Sequence, residues 1–364
     1  MPKIWINNGV YTCSDVAAGL FDPVCPEAHT LQFCKDWLNG LPGVTIKTSG
    51  STGKPKYIRL YREQLLASAR ATLDFLKLGP ADHALVCLHT GYIAGKMMLI
   101  RALLAGMDIS IVPASTNPFA KLPADRGVTF SAVVPLQLQK VLTDGGQGLA
   151  CFNRQRVVLA GGAPVSQQLQ EQLLVLRPQI YHTYGMTETV SHIGLRKLNG
   201  KGRSDWFGKL PGIKLWQDER GCLVIQGDVT ARKPVLTNDL VELQGSGRFR
   251  WRGRVDNTIN SGGVKIQPEE VEALAGQVLA ANGLMCRFFV AGLPDSDLGE
   301  QVCLVLETAP LPAETEQAVM LQLKNSASKY HAPRLLHYLK NFVETPTAKI
   351  DRKKSIGKIL RNNG

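Results

Sequence analysis

The sequence predicts an α/β protein: a large N-terminal domain of mostly parallel, helix-flanked sheets with a small β subdomain, then a small α+β C-terminal domain. Three observations predict it. Apolar runs of strand length alternate with stretches of helical periodicity from about residue 44 to residue 176, as βαβ units do. Past about residue 197 short strands separated by Gly and Asp turns replace that alternation. At Gly253-Arg254-Val255-Asp256 the pattern changes again, to a Pro-started helix and two strands. The boundary there separates residues 1–255 from residues 256–364.

The elements follow in order. Residues 1–40 are mixed, with one helix over 27–38. Val44-Thr45-Ile46-Lys47 reads as a strand, residues 57–60 as another, and 62–76 as a helix. Residues 84–88 form a buried strand, 94–104 a helix, 108–112 and 130–134 strands, and 136–142 a helix. A strand over 156–160 ends in Gly161-Gly162-Ala163-Pro164, and a helix covers 166–176. Residues 214–216, 222–225 and 240–243 are the short strands of the β subdomain. Pro268 opens a helix over 269–279, and residues 287–291 and 301–307 pattern as strands. Ligands on parallel sheets gather at strand C-terminal ends. The glycine-rich segments at Gly50 and Gly161 both follow strands.

Composition narrows the class. Hydrophobic residues make up 44% and charged residues 20% of 364 positions, as in an ordinary soluble globular protein. No apolar run is long enough for a bilayer, and the first residues lack the apolar stretch of a signal peptide. Eight cysteines show neither a CxxC pair nor a Cys/His ligand spacing. They read as reduced thiols of a cytoplasmic protein, not as disulfides or a zinc site. The net charge of +12 suits anionic ligands. The basic residues are dispersed except in the tail 349–361, and no aromatic-interleaved basic stripe appears, so nucleic acid is not an expected partner.

The most informative segment is Thr48-Ser49-Gly50-Ser51-Thr52-Gly53-Lys54-Pro55-Lys56. Its glycines let backbone N–H groups approach oxygens, its hydroxyls donate, and its lysines neutralise charge; this composition suits a polyphosphate. It is not a Walker A loop: two residues, not four, separate Gly50 from Gly53, and proline follows Lys54. The proline also opposes a helix starting at the lysine. The expectation is a flexible loop after a strand, not a helix N-terminus.

A second segment, Tyr181-His182-Thr183-Tyr184-Gly185-Met186-Thr187-Glu188-Thr189, packs an aromatic, hydroxyls and a carboxylate into one turn after a strand over 179–181. An aromatic face can stack on a base, a threonine can bind a phosphate oxygen, and a lone glutamate can take a Mg²⁺ that bridges phosphates. Each further segment has a plainer reading on its own. Gly161-Gly162 is a common strand-to-helix turn, Thr237-Asn238-Asp239 a β-turn, and Lys349 a solvated charge in a basic tail.

Taken together and in order, these segments resemble the adenylate-forming superfamily: acyl- and aryl-CoA synthetases, peptide-synthetase adenylation domains and luciferases. Thr48 to Lys56 is similar to the family's phosphate loop, and Tyr184 to Glu188 matches its YGxTE motif. The resemblance implies adenine stacking by Tyr184 beside Gly185, α-phosphate contact by Thr187 and Mg²⁺ at Glu188. Gly161, Gly162 and Ala163 resemble the loop at the adenine edge. Asp239 resembles the ribose-binding aspartate, with Asn238 in place of a glycine. Residues 253–272 resemble the family's hinge motif. It implies ribose contact by Arg254, a hinge at Asp256 that makes the C-terminal domain mobile, and approach of a pantetheine arm at Gly262 and Gly263. Residues 290–300 are also similar to the family's C-terminal domain and imply a structural role. Residues 344–352 resemble PxGKxxR, with Ala348 where glycine is usual, and make Lys349 the catalytic lysine.

What the resemblance implies is an AMP-forming acid–thiol ligase that uses ATP, Mg²⁺ and, as co-substrate, coenzyme A, with a small carboxylic acid as substrate. The chain is short for this superfamily, and the difference lies before the phosphate loop. The family's acyl pocket starts with a His-x-Ser-Gly segment, here aligned with Tyr92-Ile93-Ala94-Gly95. Tyr92 stands for the histidine, since His89 is three residues out of register. Lys96 or Arg101 is then the partner for a second carboxylate, against the plainer reading of a solvated helix face. Two alternatives stay open: another acyl- or aryl-CoA ligase or a carrier-loading enzyme, and a non-catalytic nucleotide-binding module.

Overall fold

The structure, a computed structural model, describes residues 2–6, 9–48, 56–123, 125–328, 330–344 and 350–362. The chain opens with a hairpin, β1 (Lys3–Ile6) and β2 (Gly9–Thr12), then α1 (Cys13–Ala18) and α2 (Ala28–Leu38). Thr12 caps α1: its hydroxyl accepts the Asp15 N–H while the Asp15 carboxylate accepts the Thr12 N–H. β3 (Gly43–Thr48) and β4 (Lys56–Tyr61) pair only with each other, Thr48 opposite Lys56. The strand that precedes the glycine-rich segment thus belongs to a separate antiparallel pair, not to the parallel sheet.

α3 (Arg62–Leu76) leads into the alternating half: β5 (His83–Val86), α4 (Ile93–Ala105), β6 (Asp108–Ile111), β7 (Phe130–Val133), α5 (Pro135–Asp144), α6 (Gly146–Asn153), β8 (Val157–Ala160), α7 (Gln167–Leu173) and β9 (Gln179–Gly185). β1, β6, β5, β7, β8 and β9 lie side by side and parallel. Alternate residues serve opposite faces, as the period of two requires. Val157 and Leu159 of β8 face a core shared with α2, α3 and α4, while Val158 and Ala160 face a second core under α5, α6 and α7.

The β subdomain continues this sheet. β10 (His192–Lys197), β11 (Phe207–Lys209), β12 (Lys214–Gln217), β13 (Cys222–Gln226), β14 (Val235–Gln244) and β15 (Arg248–Arg254) add to β9 in antiparallel pairs. The result is one sheet of thirteen strands in the order β12-β13-β14-β15-β11-β10-β9-β8-β7-β5-β6-β1-β2. In this order β10 and β11 stand between β9 and the antiparallel pair of β15 and β14.

From residue 259 a second sheet forms. Its elements are β16 (Ile259–Ser261), β17 (Val264–Ile266), α8 (Pro268–Ala281), β18 (Phe288–Asp295), β19 (Gly299–Glu307), α9 (Ala313–Ser326), β20 (Leu335–Leu339) and α10 (Arg352–Asn362). The order is β17-β16-β19-β18, with β20 parallel to β19. α8 and α9 cover one face and α10 the other, through Ile359. The basic tail is thus a packed helix: Ser355 and Ile359 are buried, Arg352 turns inward to Glu272, and Lys353, Lys354, Lys358 and Arg361 are exposed. Among the described residues no helix is long and apolar enough to cross a membrane.

Candidate active site

Three of the residues singled out in the sequence converge where β9 meets β14 and β15. Tyr184, next to last on β9, donates its phenol hydrogen to Asp239 Oδ2 at 2.6 Å. Asp239 is not in a β-turn but mid-strand in β14, directly opposite Arg254 of β15. Arg254 reaches Asp239 Oδ1 at 3.5 Å and Asp256 Oδ2 at 2.6 Å. Trp251 donates its indole N–H to Asp239 Oδ1 at 3.2 Å. Burial, and after it the Asp239 charge, raises the Tyr184 phenol above its ordinary value, so it stays a donor. The Tyr184 ring stands edge-on to Phe249, with centroids 5.0 Å apart, and tilted against Phe207.

The YGMTE segment is not a single turn. Tyr181 to Gly185 continue β9 and pair with β10, Gly185 opposite His192. The strands approach so closely that a Cβ on Gly185 would lie 2.2 Å from the Ser191 carbonyl oxygen. Only then does the chain turn, through a short 3₁₀ segment, Thr187–Thr189. Thr189 is buried and ties the turn, accepting the Met186 N–H and donating to backbone oxygen. Val190 follows at φ 67°, ψ −59°, with the Ser191 N–H bonded to the Thr189 carbonyl at 2.7 Å. That is the strained hand of the γ-turn, and for a buried β-branched residue it is a true outlier. Such strain persists where packing over-determines it, and it concentrates at functional sites. Thr187 is half-buried and Glu188 is exposed on this turn.

Gly161, Gly162 and Ala163 follow β8 beside the same strand. A Cβ on Gly161 would meet Thr183 Oγ1 at 2.4 Å, and Gly162 needs φ +83°. The Ala163 carbonyl lies 3.3 Å from His182 Nε2. Burial, with the Arg196 charge behind it, pulls His182 down to about 4, so the ring is neutral at physiological pH.

α4 separates the two cationic candidates. Lys96 sits 4.4 Å from the Phe33 ring centroid on α2, and burial lowers its ammonium. Arg101 points elsewhere, to Ser191 Oγ at 3.0 Å, just past the strained turn. It is 2% exposed, and among the described residues its Nε has no partner and no carboxylate pairs with it. The solvated-face reading fails for Arg101. Tyr92 is exposed at the start of α4 and stands edge-on to His89, which stacks on His29. Gly95 is packed against the preceding loop, where a Cβ would meet the Leu88 and His89 carbonyl oxygens at 2.7 Å.

Asp256 lies in the 3₁₀ segment Val255–Asn257 between the two sheets. Burial raises its carboxyl, but Arg254, Asn238 and Lys353 outweigh this and hold it below its ordinary value. Gly262 and Gly263, at φ +59° and +81°, form the two-residue connection of the β16–β17 hairpin. Two positive φ values are what a type I′ turn requires. Lys56 is exposed on β4, and the Thr48 backbone ends β3. Ser49, Gly50, Ser51, Thr52, Gly53, Lys54 and Lys349 lie outside the described residues.

Trp251 and Ser191 are the contacts that motif reading missed. Trp251 had a signal: Arg248-Phe249-Arg250-Trp251-Arg252 alternates strictly, so Phe249 and Trp251 share a face. Ser191 had none, since its position follows from the turn at Val190.

The profile of the AMP-binding enzyme family matches residues 44–228. The 2-succinylbenzoate–CoA ligase of Salmonella typhimurium is 30% identical over 276 residues, 72% of this chain and 57% of that protein. The chain thus spans little more than half the length of that relative. The 2-succinylbenzoate–CoA ligase of Bacillus mycoides is 28% identical, over 91% of this chain and 74% of that one. Among solved structures, the acyl-CoA synthetase (AMP-forming)/AMP-acid ligase II-like protein of Dyadobacter fermentans is 40% identical, with TM-score 0.63, covering 94% of this chain and 97% of that one. The o-succinylbenzoate coenzyme A synthetase of Bacillus subtilis, solved with ATP and magnesium, shares the fold at TM-score 0.70 and 23% identity, over 86% and 69% of the chains. With a family profile matched across half its length and this fold, the chain belongs to the AMP-binding enzyme family.

Proposed function

We propose that the protein is an ATP-dependent acid–CoA ligase that works through an acyl-adenylate, with o-succinylbenzoate as its acid, in menaquinone biosynthesis. The observation that carries the nucleotide half is the Tyr184–Asp239–Arg254 chain of hydrogen bonds. It sets an aromatic ring beside a buried carboxylate whose oxygens can accept ribose hydroxyls. Gly161, Gly162 and Ala163 would border the adenine edge, and Gly185 lets the site's two strands approach closely. What supports the acid is Arg101, a buried cation without a counter-charge among the described residues, beside the strained turn. An uncompensated buried charge is costly, and a second carboxylate on the substrate would offset it. Lys96, turned toward Phe33, leaves that role to Arg101, and Tyr92, exposed at the start of α4, would border the acid.

The acid's carboxylate attacks the α-phosphorus of ATP, and the bond to the β-phosphate oxygen breaks, giving acyl-AMP and pyrophosphate. Thr187 would hold an α-phosphate oxygen. Residues Thr48 to Lys56 would grip the departing β- and γ-phosphates, and Lys349 would stabilise charge between the attacking carboxylate and the phosphate. The exposed Glu188, with no side-chain partner among the described residues, fits a Mg²⁺ that keeps most of its waters; bound there, the ion would neutralise phosphate charge. The coenzyme A thiol then attacks the acyl carbon and AMP leaves. Residues 1–255 act as the adenylation domain, and residues 256–364 rotate at Asp256 to exchange Lys349 for the Gly262-Gly263 face. The reaction belongs in the cytoplasm, where ATP and coenzyme A are at hand.

Acid-dependent exchange of pyrophosphate into ATP tests the reading. A panel of acids that includes o-succinylbenzoate should give a signal strongest with that acid, and thioester should form with coenzyme A. Exchange only with other acids would replace the substrate. Thioester formed only on a carrier protein would favour a carrier-loading enzyme. No exchange with any acid would revive the non-catalytic module.

A further inference from the structure

Asn238 stands in β14 beside Asp239, and the period of two sets these neighbouring side chains on opposite faces of the strand. It therefore does not join the carboxylate of the nucleotide site. The backbone does not call for it either. Asn238 takes no positive φ, and asparagine is a poor strand residue. Its side-chain bonds account for it. Asn238 Oδ1 accepts a hydrogen from Arg220 Nη1 at 3.0 Å. With that oxygen engaged, the amide hydrogens remain to donate, and Asn238 bonds the Asp256 carboxylate. Arg220 is itself fixed. Its Nε and Nη2 donate to Asp218 Oδ2 at 2.9 and 2.7 Å, and Nη2 also reaches the Thr237 carbonyl at 2.9 Å. Asp218 Oδ1 accepts the backbone N–H groups of Arg220 and Cys222 across the turn between β12 and β13. A planar guanidinium held on that side presents a rigid donor to Asn238.

These bonds matter because of where Asp256 lies. The pairing of β14 with β15 ends at Asp239 opposite Arg254. Asp256 comes just past it, in the 3₁₀ segment that leads to the second sheet. Its carboxylate takes Arg254 at 2.6 Å and Asn238 as well, both from the thirteen-stranded sheet, and the charge of Lys353 on α10 also bears on it. Arg254 divides itself between Asp256 and Asp239. Asn238 does not touch Asp239 and holds Asp256 independently of the nucleotide carboxylate. A tie that only stitched strands together would stay between β13 and β14. This one runs from the β12–β13 turn over the end of the sheet to the joint between the two sheets.

We propose that Asn238 is a positioning residue for the ligase reaction: steadied by Arg220, it grips Asp256 and so sets the balance between adenylate formation and thioester formation. The role rests on the acid–CoA ligase reading with its rotation at Asp256. Asn238 touches no substrate and acts only through Asp256.

Two measurements on the full chain test it. Asn238→Ala removes both bonds, whereas Asn238→Asp keeps an acceptor for Arg220 and turns a carboxylate on Asp256. The first measurement is hydrogen exchange at the Thr258 amide, which closes the 3₁₀ segment by donating to the Val255 carbonyl at 3.2 Å. Both variants should speed it about five-fold or more, the scale of one hydrogen bond. The paired amides of Leu243 and Phe249 should stay as in wild type and so guard against misfolding. The second is the ratio of acid-dependent pyrophosphate exchange to thioester formation from added acyl-adenylate of the same acid. It should move by about five-fold or more, in the same direction for both variants and for Arg220→Gln, while the KM for ATP stays near wild type. Unchanged Thr258 exchange in both Asn238 variants overturns the grip on Asp256. Faster exchange with an unmoved ratio, both half-reactions falling together included, makes Asn238 a structural tie and overturns its role in the reaction. Absence of pyrophosphate exchange in the wild type with every acid sinks the ligase reading instead, and the Thr258 amide then still decides the grip.

Discussion

Tyr184 and Asp239 are joined by a 2.6 Å hydrogen bond from phenol to carboxylate, linking β9 to β14 across 55 residues of sequence. The bond fixes the aromatic ring and the acceptor that the nucleotide would use as one unit. Trp251 and Arg254 hold the other oxygen, so the carboxylate is oriented before any ligand arrives. Tyr184→Phe keeps the ring face and removes this one bond. It should lower stability by about 1.5–3 kcal/mol, the usual worth of a hydrogen bond to a charged group, and raise the KM for ATP. Urea denaturation and exchange kinetics measure the two. Unchanged stability would mean that Trp251 and Arg254 suffice to hold Asp239.

Gly185 makes a sharper test of the turn. Alanine there would place Cβ 2.2 Å from the Ser191 carbonyl oxygen and 2.4 Å from the His192 Cα, both backbone atoms that cannot swing aside. The strands must part, and Val190 loses the packing that holds its strained φ. Gly185→Ala should cost about 1–3 kcal/mol or more and abolish acid-dependent exchange. A variant with wild-type melting and exchange would show that the strands separate without consequence.

Much of this was legible in the sequence, for local reasons. α3 spans Arg62–Leu76, as its periodicity predicts, and β8, α4 and α8 lie within a residue or two of expectation. Tyr184, Asp239 and Arg254 were found by residue type and order. Their mutual hydrogen bonds were not, because register between β14 and β15 is a long-range property. β1 and β2 were missed since four-residue strands rich in polar neighbours carry little periodicity, and they are strands only because β6 pairs with β1. Residues 352–362 read as a charged tail because only Ser355 and Ile359 mark the buried stripe. The strain at Val190 has no sequence signal, since propensity opposes it.

Arg101 separates stability from function. Its guanidinium stays charged near neutrality, is buried, and has Ser191 Oγ as its one side-chain partner among the described residues. Replacing an uncompensated buried charge by an apolar side chain of similar length tends to be neutral or stabilising. Arg101→Met should therefore hold or raise the melting temperature while raising the KM for a dicarboxylic acid about ten-fold or more. The KM for ATP should stay near wild type. A large fall in melting temperature would assign Arg101 to the support of Ser191 instead.

Glu272 predicts a pH dependence. It stands on α8, accepts the Val290 N–H and pairs with Arg352 of α10 at 2.9 Å. Burial raises its carboxyl to about 7 from 4.5, against the pull of Arg352. The folded state therefore holds a proton that the unfolded chain has released. The stability this contributes is complete below about 4.5 and is lost as pH climbs through about 7. His182, pulled down to about 4, pushes the other way as pH rises, so the comparison is between wild type and Glu272→Gln. From about pH 5 to about pH 8 their difference in urea stability should move in favour of the variant. A pH-independent difference would mean that Arg352 keeps Glu272 ionised throughout.

The hinge is tested by separating the two half-reactions. Asp256 accepts from Arg254, which also reaches Asp239, so the same arginine touches the proposed ribose acceptor and the proposed pivot. A rotation about residue 256 changes its φ, and proline fixes φ near −65°. Asp256→Pro should leave acid-dependent pyrophosphate exchange within a few-fold of wild type and cut thioester formation by about 100-fold or more, the scale of a blocked catalytic rearrangement. Because the substitution also removes the Asp256 carboxylate, Asp256→Asn is the control, and it should keep both half-reactions measurable. Equal loss of both in the proline variant would mean that residues 256–364 serve adenylation and thioester formation in one orientation.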